Sequence, residues 1–423
     1  MTPETLSARP PHALRAIPYM GVIYVVAEAM KLGFTNGDPD WCNLGQGQPE
    51  VGEMEGAPPR LASIRLEPGD HAYGPIDGTR ALREAVAAHY NRLYRRGKRS
   101  QYTAENVSVA AGGRLVLTRA FAALGDVRLG YQIPDYTAYE DMIGYHRHRL
   151  TPIVLEAKEA DGFAIPPADL ERAIDRHELR AFVVSNPCNP TGNVIRGEDL
   201  ARYVACGRER GCTMILDEFY SHFVYDGDAP AAGPVSGAEF VEDVDTDPVL
   251  LVDGLTKSFR YPGWRVGWAV GPREMVEVLG RAASAIDGGP SQPIQRAALE
   301  VLEPARADQE TRALRSVFSR KRSLMVERLR AMGVRITPEP SGTFYVWGTI
   351  EDLPAPLNDV ETFFRRALER KVLTVPGVFF DVNPGKERRG PSPYATWMRF
   401  SFGPPEDNVR LGLDRLEALV REA

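Results

Sequence analysis

The sequence predicts an α/β fold built on a parallel sheet, and two observations support this prediction. From about residue 105, short apolar segments alternate with longer segments whose apolar residues recur at three- and four-residue spacing. The short segments are apolar at every position, which is typical of strands buried on both faces of a parallel sheet. Strands that alternate with helices form an α/β sandwich, which binds its ligand beyond the carboxyl ends of the strands.

The predicted elements follow in a regular order. Strands are predicted at residues 106–110, Ala181–Ser185, 213–216, 249–252 and 266–270, and helices at residues 114–124 and Gly197–Arg210. The pattern changes near residue 310, and the predicted elements there are a long charged helix (310–332), a strand (343–347), a helix, a strand ending at residues 375–377, a strand (397–402) and a terminal helix. We therefore predict an N-terminal arm with part of a small domain (1–50), a large domain (51–308) and a small α+β domain (309–423).

Composition excludes several classes of protein. The 423 residues are 43% hydrophobic and 26% charged, which is typical of a folded soluble enzyme and too apolar for a disordered chain. The formal net charge is −6, so no basic surface for nucleic acid is predicted, and no apolar run approaches the length of a membrane span. The four cysteines contain no C-x-x-C pair, so we expect reduced thiols, no metal site and a cytoplasmic location.

The N-terminus allows two interpretations. Arg9 and Arg15 precede an apolar stretch over residues 17–27, and a small-x-small sequence follows it, as in a secretory signal peptide. Pro18 and Gly21 interrupt the stretch, however. We therefore favour an N-terminal arm followed by a short helix that faces the core, and keep the signal peptide as the alternative.

Two motifs place polar residues directly after predicted strands. The segment from Asn186 to Gly192 contains two Asn-Pro steps, the second at Asn189, followed by Thr-Gly. One such step predicts only a turn, whereas the doubled pattern is much more specific. Asp217 ends the next apolar strand, where it is either a ligand-binding acid or the N-cap of a helix.

Two further motifs carry cations. Lys257 follows the apolar strand at residues 249–252, and Arg265 lies eight residues further on. Both could be surface charges, yet a lysine in a semi-apolar site has the lowered pKa that Schiff-base chemistry requires. Arg399 lies inside the apolar strand at 397–402, where it needs an anionic partner, and its planar fork suits a carboxylate.

These motifs and their order resemble the fold-type I aminotransferases of class I and II, the aspartate aminotransferase superfamily, which depend on pyridoxal phosphate. The matching patterns, from about residue 43 to the C-terminus, are N-P-x-N-P-T-G, D-x-x-Y, T-K with G-W-R-x-G, and R-x-S. The resemblance implies a large domain with a mostly parallel seven-stranded sheet in an α/β/α sandwich and a smaller α+β domain. It also implies transfer of an amino group from an L-amino acid to a 2-oxo acid through a Schiff base on Lys257 and quinonoid and ketimine intermediates.

The resemblance also implies roles for individual residues around the cofactor. Lys257 matches the lysine that forms the Schiff base and moves the substrate proton, and Asp217 matches the acid that binds the pyridine nitrogen. Tyr220 and Asn189 match the residues that bind the phenolic oxygen of the cofactor. Tyr136 matches the aromatic residue that stacks on the ring, although a packed core aromatic is the alternative.

The phosphate and the substrate have their own predicted partners. Gly112 and Gly113 match the turn whose amides hold the phosphate, with Arg265 as its cation. Gly254 stands where many relatives have a phosphate-binding serine, a contact that Thr256 could replace. The further matches are Gly47 and Arg399 for the substrate carboxylate, together with Asn189, and Tyr73 for the phosphate of the neighbouring subunit, which predicts a homodimer with shared active sites.

Two questions stay open in the sequence. The same residues would serve a lyase, cyclase or oxidase of specialised amino-acid metabolism, which is the alternative to amino transfer. The segment at residues 285–289, where well-known aspartate aminotransferases have a second substrate-binding arginine, contains only one charge, Asp287. Either Asp287 faces the substrate and favours a neutral or basic amino acid over aspartate, or it caps a turn before Gly288.

Overall fold

A seven-stranded sheet forms the centre of the protein, whose computed structural model describes residue 13 and residues 17–225 and 233–423. The arm residues 1–12 and 14–16, including Arg9 and Arg15 of the alternative signal peptide, lie outside the described residues. After a two-residue β1 (Cys42–Asn43), the strands of this sheet are β2 (Val107–Ala110), β3 (Val127–Ile133), β4 (Leu150–Glu156), β5 (Ala181–Ser185), β6 (Thr213–Asp217), β7 (Val249–Gly254) and β8 (Gly267–Val270).

The strand order is β2-β8-β7-β6-β5-β3-β4, and β8 is antiparallel to both of its neighbours. The other paired strands run parallel, so the predicted mostly parallel sheet is confirmed. The expectation that the apolar run near residue 266 forms a parallel strand is wrong. The connection from β7 to β8 contains the short 3-10 turn Pro262–Trp264 and no α-helix, whereas a parallel connection usually crosses the sheet through a helix.

Helices cover this sheet and complete the α/β arrangement that the sequence predicts. Helix α3 contacts β2, β7 and β8, and α6 contacts β6. The helices up to residue 301 are α1 (Gly21–Lys31), α2 (Arg80–Tyr94), α3 (Gly113–Ala123), α4 (Ala138–Tyr145), α5 (Pro167–His177), α6 (Gly197–Arg210), α7 (Arg273–Ile286) and α8 (Gln292–Val301). In α1, Val25 and Ala29 are fully buried, which confirms the short core-facing helix.

The C-terminal part of the chain forms a second, smaller sheet with its own helices. Its order is β11-β12-β9, and both pairs are antiparallel. The elements are α9 (Pro304–Ala331), β9 (Tyr345–Thr349), α10 (Val360–Glu369), β10 (Val372–Leu373), β11 (Val375–Pro376), β12 (Trp397–Ser401) and α11 (Glu406–Arg421). No helix in the described part of the chain combines the length and the apolar character needed to cross a membrane.

The N-terminal and C-terminal parts of the chain are joined by β1, which pairs in parallel with β10. Cys42 is opposite Val372, and Asn43 is opposite Leu373. This pairing supports the predicted grouping of residues 1–50 with the small domain. The division at residue 308 falls inside α9, which begins earlier than predicted because the Glu303 side chain caps its first amides. The domain boundaries stay a prediction.

Candidate active site

The carboxyl ends of β5, β6 and β7 meet at one edge of the sheet, as their parallel register requires. Ser185 pairs with Asp217, and Asp217 pairs with Val252. A cavity of about 1180 Å³ opens at this edge. The predicted site residues that line it are Gly47, Gly113, Tyr136, Asn189, Asp217, Tyr220, Thr256, Lys257, Arg265 and Arg399.

Lys257 extends its amine into this cavity from the loop after β7. Its Nζ donates a hydrogen bond to the backbone oxygen of Gly47. Burial lowers the pKa of Lys257 to about 7, and the nearby guanidinium groups, of which Arg399 has the largest effect, lower it further. Asp217 has the opposite effect on this pKa. The lysine can therefore be a neutral amine near neutral pH, which is the form that reacts as a nucleophile or accepts a proton.

Asp217 lies at the bottom of the cavity and is 5% exposed. Its Oδ2 accepts a hydrogen bond of 2.8 Å from the hydroxyl of Tyr139. Burial raises the pKa of Asp217 to about 6, and the bond from Tyr139 opposes this rise. Residues 218–225 form turns rather than a helix, so the alternative of Asp217 as a helix cap does not apply.

Arg399 is fully enclosed, at 1% exposure, and its guanidinium lies above the ring of Tyr345 at 4.0 Å from the centroid. Its Nη1 donates to Oδ1 of Asn189 and its Nη2 donates to the backbone oxygen of Gly45, both at 2.8 Å. Its buried Nε has no partner among the described atoms. A buried cation without a carboxylate partner is costly, so the site favours an anionic ligand beside Arg399.

Tyr220 joins this cluster through its hydroxyl, which lies 2.8 Å from the hydroxyl of Tyr345. Tyr220 is 6% exposed, and burial raises its pKa well above the ordinary value. The amine of Lys257 lies 5.9 Å from the centre of the Tyr220 ring. Tyr220 and Lys257 therefore face the same part of the cavity.

Gly112, Arg265 and Thr256 form a cradle at the start of α3. Gly112 is the N-cap of this helix with φ of 94°, and a Cβ there would collide with the guanidinium of Arg265. The first amides of a helix have no partner within it, and the helix dipole favours an anion at this end. The hydroxyl oxygen of Thr256 is buried without a partner among the described atoms. Gly113, Thr256 and Arg265 all line the cavity, so helix amides, a hydroxyl and a guanidinium are available there to an anion.

Tyr136 lines the cavity between α3 and α4, and its hydroxyl accepts a bond of 3.0 Å from Nε of Arg114. Its ring packs edge-on against Tyr139, with the centroids 5.5 Å apart. Tyr136 is half-buried, so one part of it remains open to the cavity, unlike a packed core aromatic. Tyr73 does not line the cavity and is fully exposed on the described chain.

Asp287 does not face the cavity. Its carboxylate binds Arg119 with bonds of 2.6 and 3.0 Å, and it accepts a bond of 2.9 Å from the amide of Gly289. Arg119 is 1% exposed. These bonds favour the second alternative for Asp287, because the carboxylate neutralises a buried arginine and caps the turn. A role of Asp287 in selecting the substrate of a neighbouring subunit stays a prediction.

Sequence reasoning missed several residues of the site. Tyr139, Tyr345 and Arg114 lie against the predicted residues, but their own neighbours in the chain form no recognisable motif. Their hydrogen-bond partners are distant in sequence. Tyr220 and Tyr345, for example, are 125 residues apart. Only the position of Tyr139 three residues after Tyr136, one helical turn, could have indicated a shared surface.

The fold and the cavity define an enzyme of the α/β class whose site lies at the carboxyl edge of its sheet. Comparison with known families makes this more specific. The model of the family "Aminotransferase class I and II" matches residues 39–416, so the chain belongs to this family and is an aminotransferase.

Individual relatives agree with this family assignment. An aspartate/prephenate aminotransferase of Thermus thermophilus is 29% identical over 406 residues, covering 94% of this chain and 96% of the relative. An aspartate aminotransferase of Sulfurisphaera tokodaii is 26% identical, covering 89% of each chain. A solved structure of Thermus thermophilus aspartate aminotransferase with maleate has a TM-score of 0.77 at 26% identity, covering 95% of this chain and 97% of that one. The predicted fold type I is confirmed, and nothing in these comparisons supports a lyase, cyclase or oxidase over an aminotransferase.

Proposed function

We propose that this aminotransferase uses pyridoxal phosphate to move an amino group from an L-amino acid to a 2-oxo acid. The observation that carries the proposal is the amine of Lys257, whose pKa is lowered to about 7 and which shares one cavity with Asp217 and Arg399. A neutral amine, a buried acid and a carboxylate-binding cation are the groups that this chemistry needs from a protein.

The residues present fit the cofactor. Gly112, Gly113, Arg265 and the unpartnered hydroxyl of Thr256 form a cradle suited to a phosphate. When bound, the cofactor supplies an aldehyde that condenses with amines and a pyridine ring that accepts the electron pair released at the substrate Cα. Asp217 would bind the pyridine nitrogen, Tyr136 would stack on the ring, and Tyr220 and Asn189 would donate to its phenolic oxygen.

The protein groups that act on the substrate follow from the same geometry. Arg399 and Asn189 would hold the α-carboxylate, and the backbone at Gly47 lies beside them. Nζ of Lys257 would take the proton from Cα as a neutral amine and, as the ammonium ion, would give it to the former aldehyde carbon of the cofactor. Because Lys257 lies close to half protonation near pH 7, it can act in both directions without a large energetic cost.

The side chain of the substrate has a candidate partner in Arg114. This residue lines the cavity, donates only its Nε to Tyr136, and is exposed to the cavity. None of the roles above uses its guanidinium. We therefore propose an acidic amino acid, such as the aspartate in the names of the relatives, as one of the substrates.

The assembly and location are part of the proposal. Tyr73 is fully exposed on the described chain, as a residue that reaches a neighbouring active site would be, so we propose a homodimer with shared sites. The four cysteines are buried and unpaired, which supports a reducing compartment such as the cytoplasm.

One experiment tests the proposal. The purified chain is incubated with pyridoxal phosphate and a panel of amino acids, with and without 2-oxoglutarate, and oxo acid, new amino acid and oxygen uptake are followed. We expect repeated turnover to oxo acid only when 2-oxoglutarate is present, at most one equivalent of oxo acid per cofactor without it, and no turnover with Lys257→Ala. Oxo acid in excess of one equivalent per cofactor without an acceptor, or product formed with oxygen uptake, would contradict amino transfer. Borohydride reduction followed by mass spectrometry should find the cofactor on Lys257, and the exposed Lys371 serves as the control.

The dimer has its own measurement. Sedimentation of the wild-type chain should show a dimer, and Tyr73→Phe should release the cofactor faster while remaining dimeric. A fully active monomer would contradict the shared site.

A further inference from the structure

A buried carboxyl group that none of the proposed roles uses lies directly behind the cavity. Asp135 follows β3 and is 0% exposed. The strand β3 pairs with β5, so Asp135 lies beside Ser185, the last residue of β5. Asp135 directly precedes Tyr136, and Ser185 directly precedes the motif that begins at Asn186, but the sequence predicted a role for neither. Asp135 does not line the cavity.

Three donors surround this carboxyl group. The backbone amide of Tyr136 donates to Oδ1 at 2.6 Å, the backbone amide of Ser185 donates to Oδ2 at 3.2 Å, and the hydroxyl of Ser185 also donates to Oδ1. Burial raises the pKa of Asp135 to about 8, and these donors oppose that rise. Three donors to two oxygens fit the ionised form of Asp135, which is the form present above its pKa, and a neutral isostere with one acceptor oxygen cannot reproduce this set.

The hydroxyl of Ser185 extends this contact to the substrate side of the cavity. Its oxygen accepts a bond of 3.2 Å from the backbone amide of Asn189. An amide can only donate, so the single proton of the hydroxyl is directed to Asp135. The side chain of Asn189 in turn binds Nη1 of Arg399 at 2.8 Å. A continuous path of hydrogen bonds thus runs from Asp135 through Ser185 and Asn189 to Arg399.

We propose that Asp135 and Ser185 are positioning residues, which fix Asn189 and Tyr136 in the orientations that bind the substrate carboxylate and the cofactor. The inference rests on the proposed function of Asn189, Tyr136 and Arg399. The carboxyl group of Asp135 orients two residues that line the cavity. It binds the backbone amide of Tyr136 directly, and it binds that of Asn189 through the hydroxyl of Ser185. We call the two hydrogen bonds of the Ser185 hydroxyl, to Asp135 and from the amide of Asn189, the relay. Loss of the relay would weaken binding of the substrate carboxylate and of the cofactor and would leave the proton transfer at Lys257 largely intact.

The test compares Ser185→Ala with Ser236→Ala in the full-length protein. Ser236 is a matched control, because it is 1% exposed and its hydroxyl also donates to a buried carboxylate, that of Glu218, at 2.5 Å. The measurements are the melting temperature, the dissociation constant of pyridoxal phosphate from the apoprotein by fluorescence, and kcat and KM for the amino donor. We expect both variants to melt at lower temperature. Only Ser185→Ala should raise KM and the cofactor dissociation constant, each by about tenfold, the loss of one buried hydrogen bond to a charged group, while kcat changes less than threefold.

A second pair of variants separates the relay from general packing. Asp135→Asn keeps the shape but places an amide donor against the amide of Ser185, so it should raise the same two constants. If Asp135 acts on Asn189 through the Ser185 hydroxyl, the double variant Asp135→Asn, Ser185→Ala should raise KM and the cofactor dissociation constant little more than either single variant. Both substitutions then break the same chain of hydrogen bonds. Independent, additive effects would overturn the relay.

The remaining outcomes are equally decisive. If Ser185→Ala behaves like Ser236→Ala, with a lower melting temperature and unchanged KM and cofactor affinity, Ser185 is merely structural and the inference is wrong. If the wild-type chain transfers no amino group, the proposed function fails separately. The cofactor dissociation constant then still tests the positioning role, since it needs no turnover.

Discussion

The hydroxyl of Tyr139 donates a 2.8 Å hydrogen bond to Oδ2 of Asp217, from a helix that begins 79 residues earlier in the chain than the aspartate. Both groups are buried, and burial alone favours the protonated acid. The bond therefore keeps Asp217 closer to the charged form that can bind a protonated pyridine nitrogen. The charged form of Asp217 is therefore stabilised by a residue of α4, although Asp217 itself ends β6.

We predict that Tyr139→Phe lowers kcat by about tenfold, the value of one hydrogen bond to a charged group. The pKa of Asp217 should rise further above 6, so the carboxylate form needs a higher pH and the acid limb of the pH profile should move upward. Tyr203→Phe is the control, because that hydroxyl is equally buried and donates to the backbone oxygen of Ile165 at 2.6 Å. An unchanged acid limb in Tyr139→Phe would show that the bond does not tune Asp217.

The sequence was sufficient to predict the residues of the cavity that follow parallel strands. Asn189 and Lys257 follow β5 and β7, Asp217 ends β6, and these three strands are neighbours in the sheet. Residues at the carboxyl ends of adjacent parallel strands meet, so local motifs were enough to assemble this part of the site. The bounds of β5 and α6 also agree with the predicted residues.

The rest depends on pairings that no local pattern encodes. Asp135 reaches Ser185 only because β3 lies next to β5, and Tyr345 reaches Tyr220 from the other sheet. The antiparallel direction of β8 accompanies a connection without an α-helix after β7. The apolar residues of β8 do not reveal its direction, because the same pattern fits a parallel or an antiparallel strand. The early start of α9 did have a local signal, since Glu303 and Pro304 are typical of a helix N-terminus.

The amine of Lys257 should determine how fast the apoprotein attaches pyridoxal phosphate at different pH values. Below its pKa the group is an ammonium ion and unreactive, so the rate should rise with pH and level off above about 7. An ordinary lysine would show the rise near pH 10.4. Stopped-flow absorbance at several pH values measures this midpoint.

Two variants should move that midpoint in opposite directions. Arg399→Gln removes a cation that lowers the pKa of Lys257, so the midpoint should rise, and Asp217→Asn removes the acid that raises this pKa, so the midpoint should fall. A wild-type midpoint near 10, or shifts of the same sign in both variants, would contradict the electrostatic description of the cavity.

Asp287→Ala should reduce stability without changing the preference among substrates. The variant leaves the enclosed Arg119 without its carboxylate partner, which costs about 3 kcal/mol of unfolding free energy for a buried ion pair. Glu277→Ala is the control on the same helix, because its pair with Arg281 is exposed on both sides and contributes less than about 1 kcal/mol. Urea denaturation measures both values.

Adding Arg119→Met to Asp287→Ala removes the unpaired charge and should recover most of the lost stability. If Asp287→Ala instead changed the ratio of kcat/KM for arginine and a neutral amino acid, the carboxylate would have to contact the substrate after all.

Arg114 offers the sharpest test of substrate preference. It is the second residue of α3, next to Gly113, and its Nε donates a hydrogen bond to the hydroxyl of Tyr136. This contact fixes the guanidinium and leaves its two Nη groups to an anionic side chain.

We predict that Arg114→Gln lowers kcat/KM for aspartate by about 10- to 100-fold, the range for a lost charged hydrogen bond. The same variant should leave kcat/KM for alanine within about twofold, a change of less than about 0.5 kcal/mol. Arg114→Lys retains the charge but lacks the planar guanidinium, so its kcat/KM for aspartate should lie between those of the wild type and Arg114→Gln. Since the pKa of Lys257 also responds to Arg114, kcat/KM for both substrates is compared over the same range of pH, so that a change at the lysine affects aspartate and alanine alike. Equal losses for aspartate and alanine would assign Arg114 to the cofactor or to Tyr136 rather than to the substrate side chain.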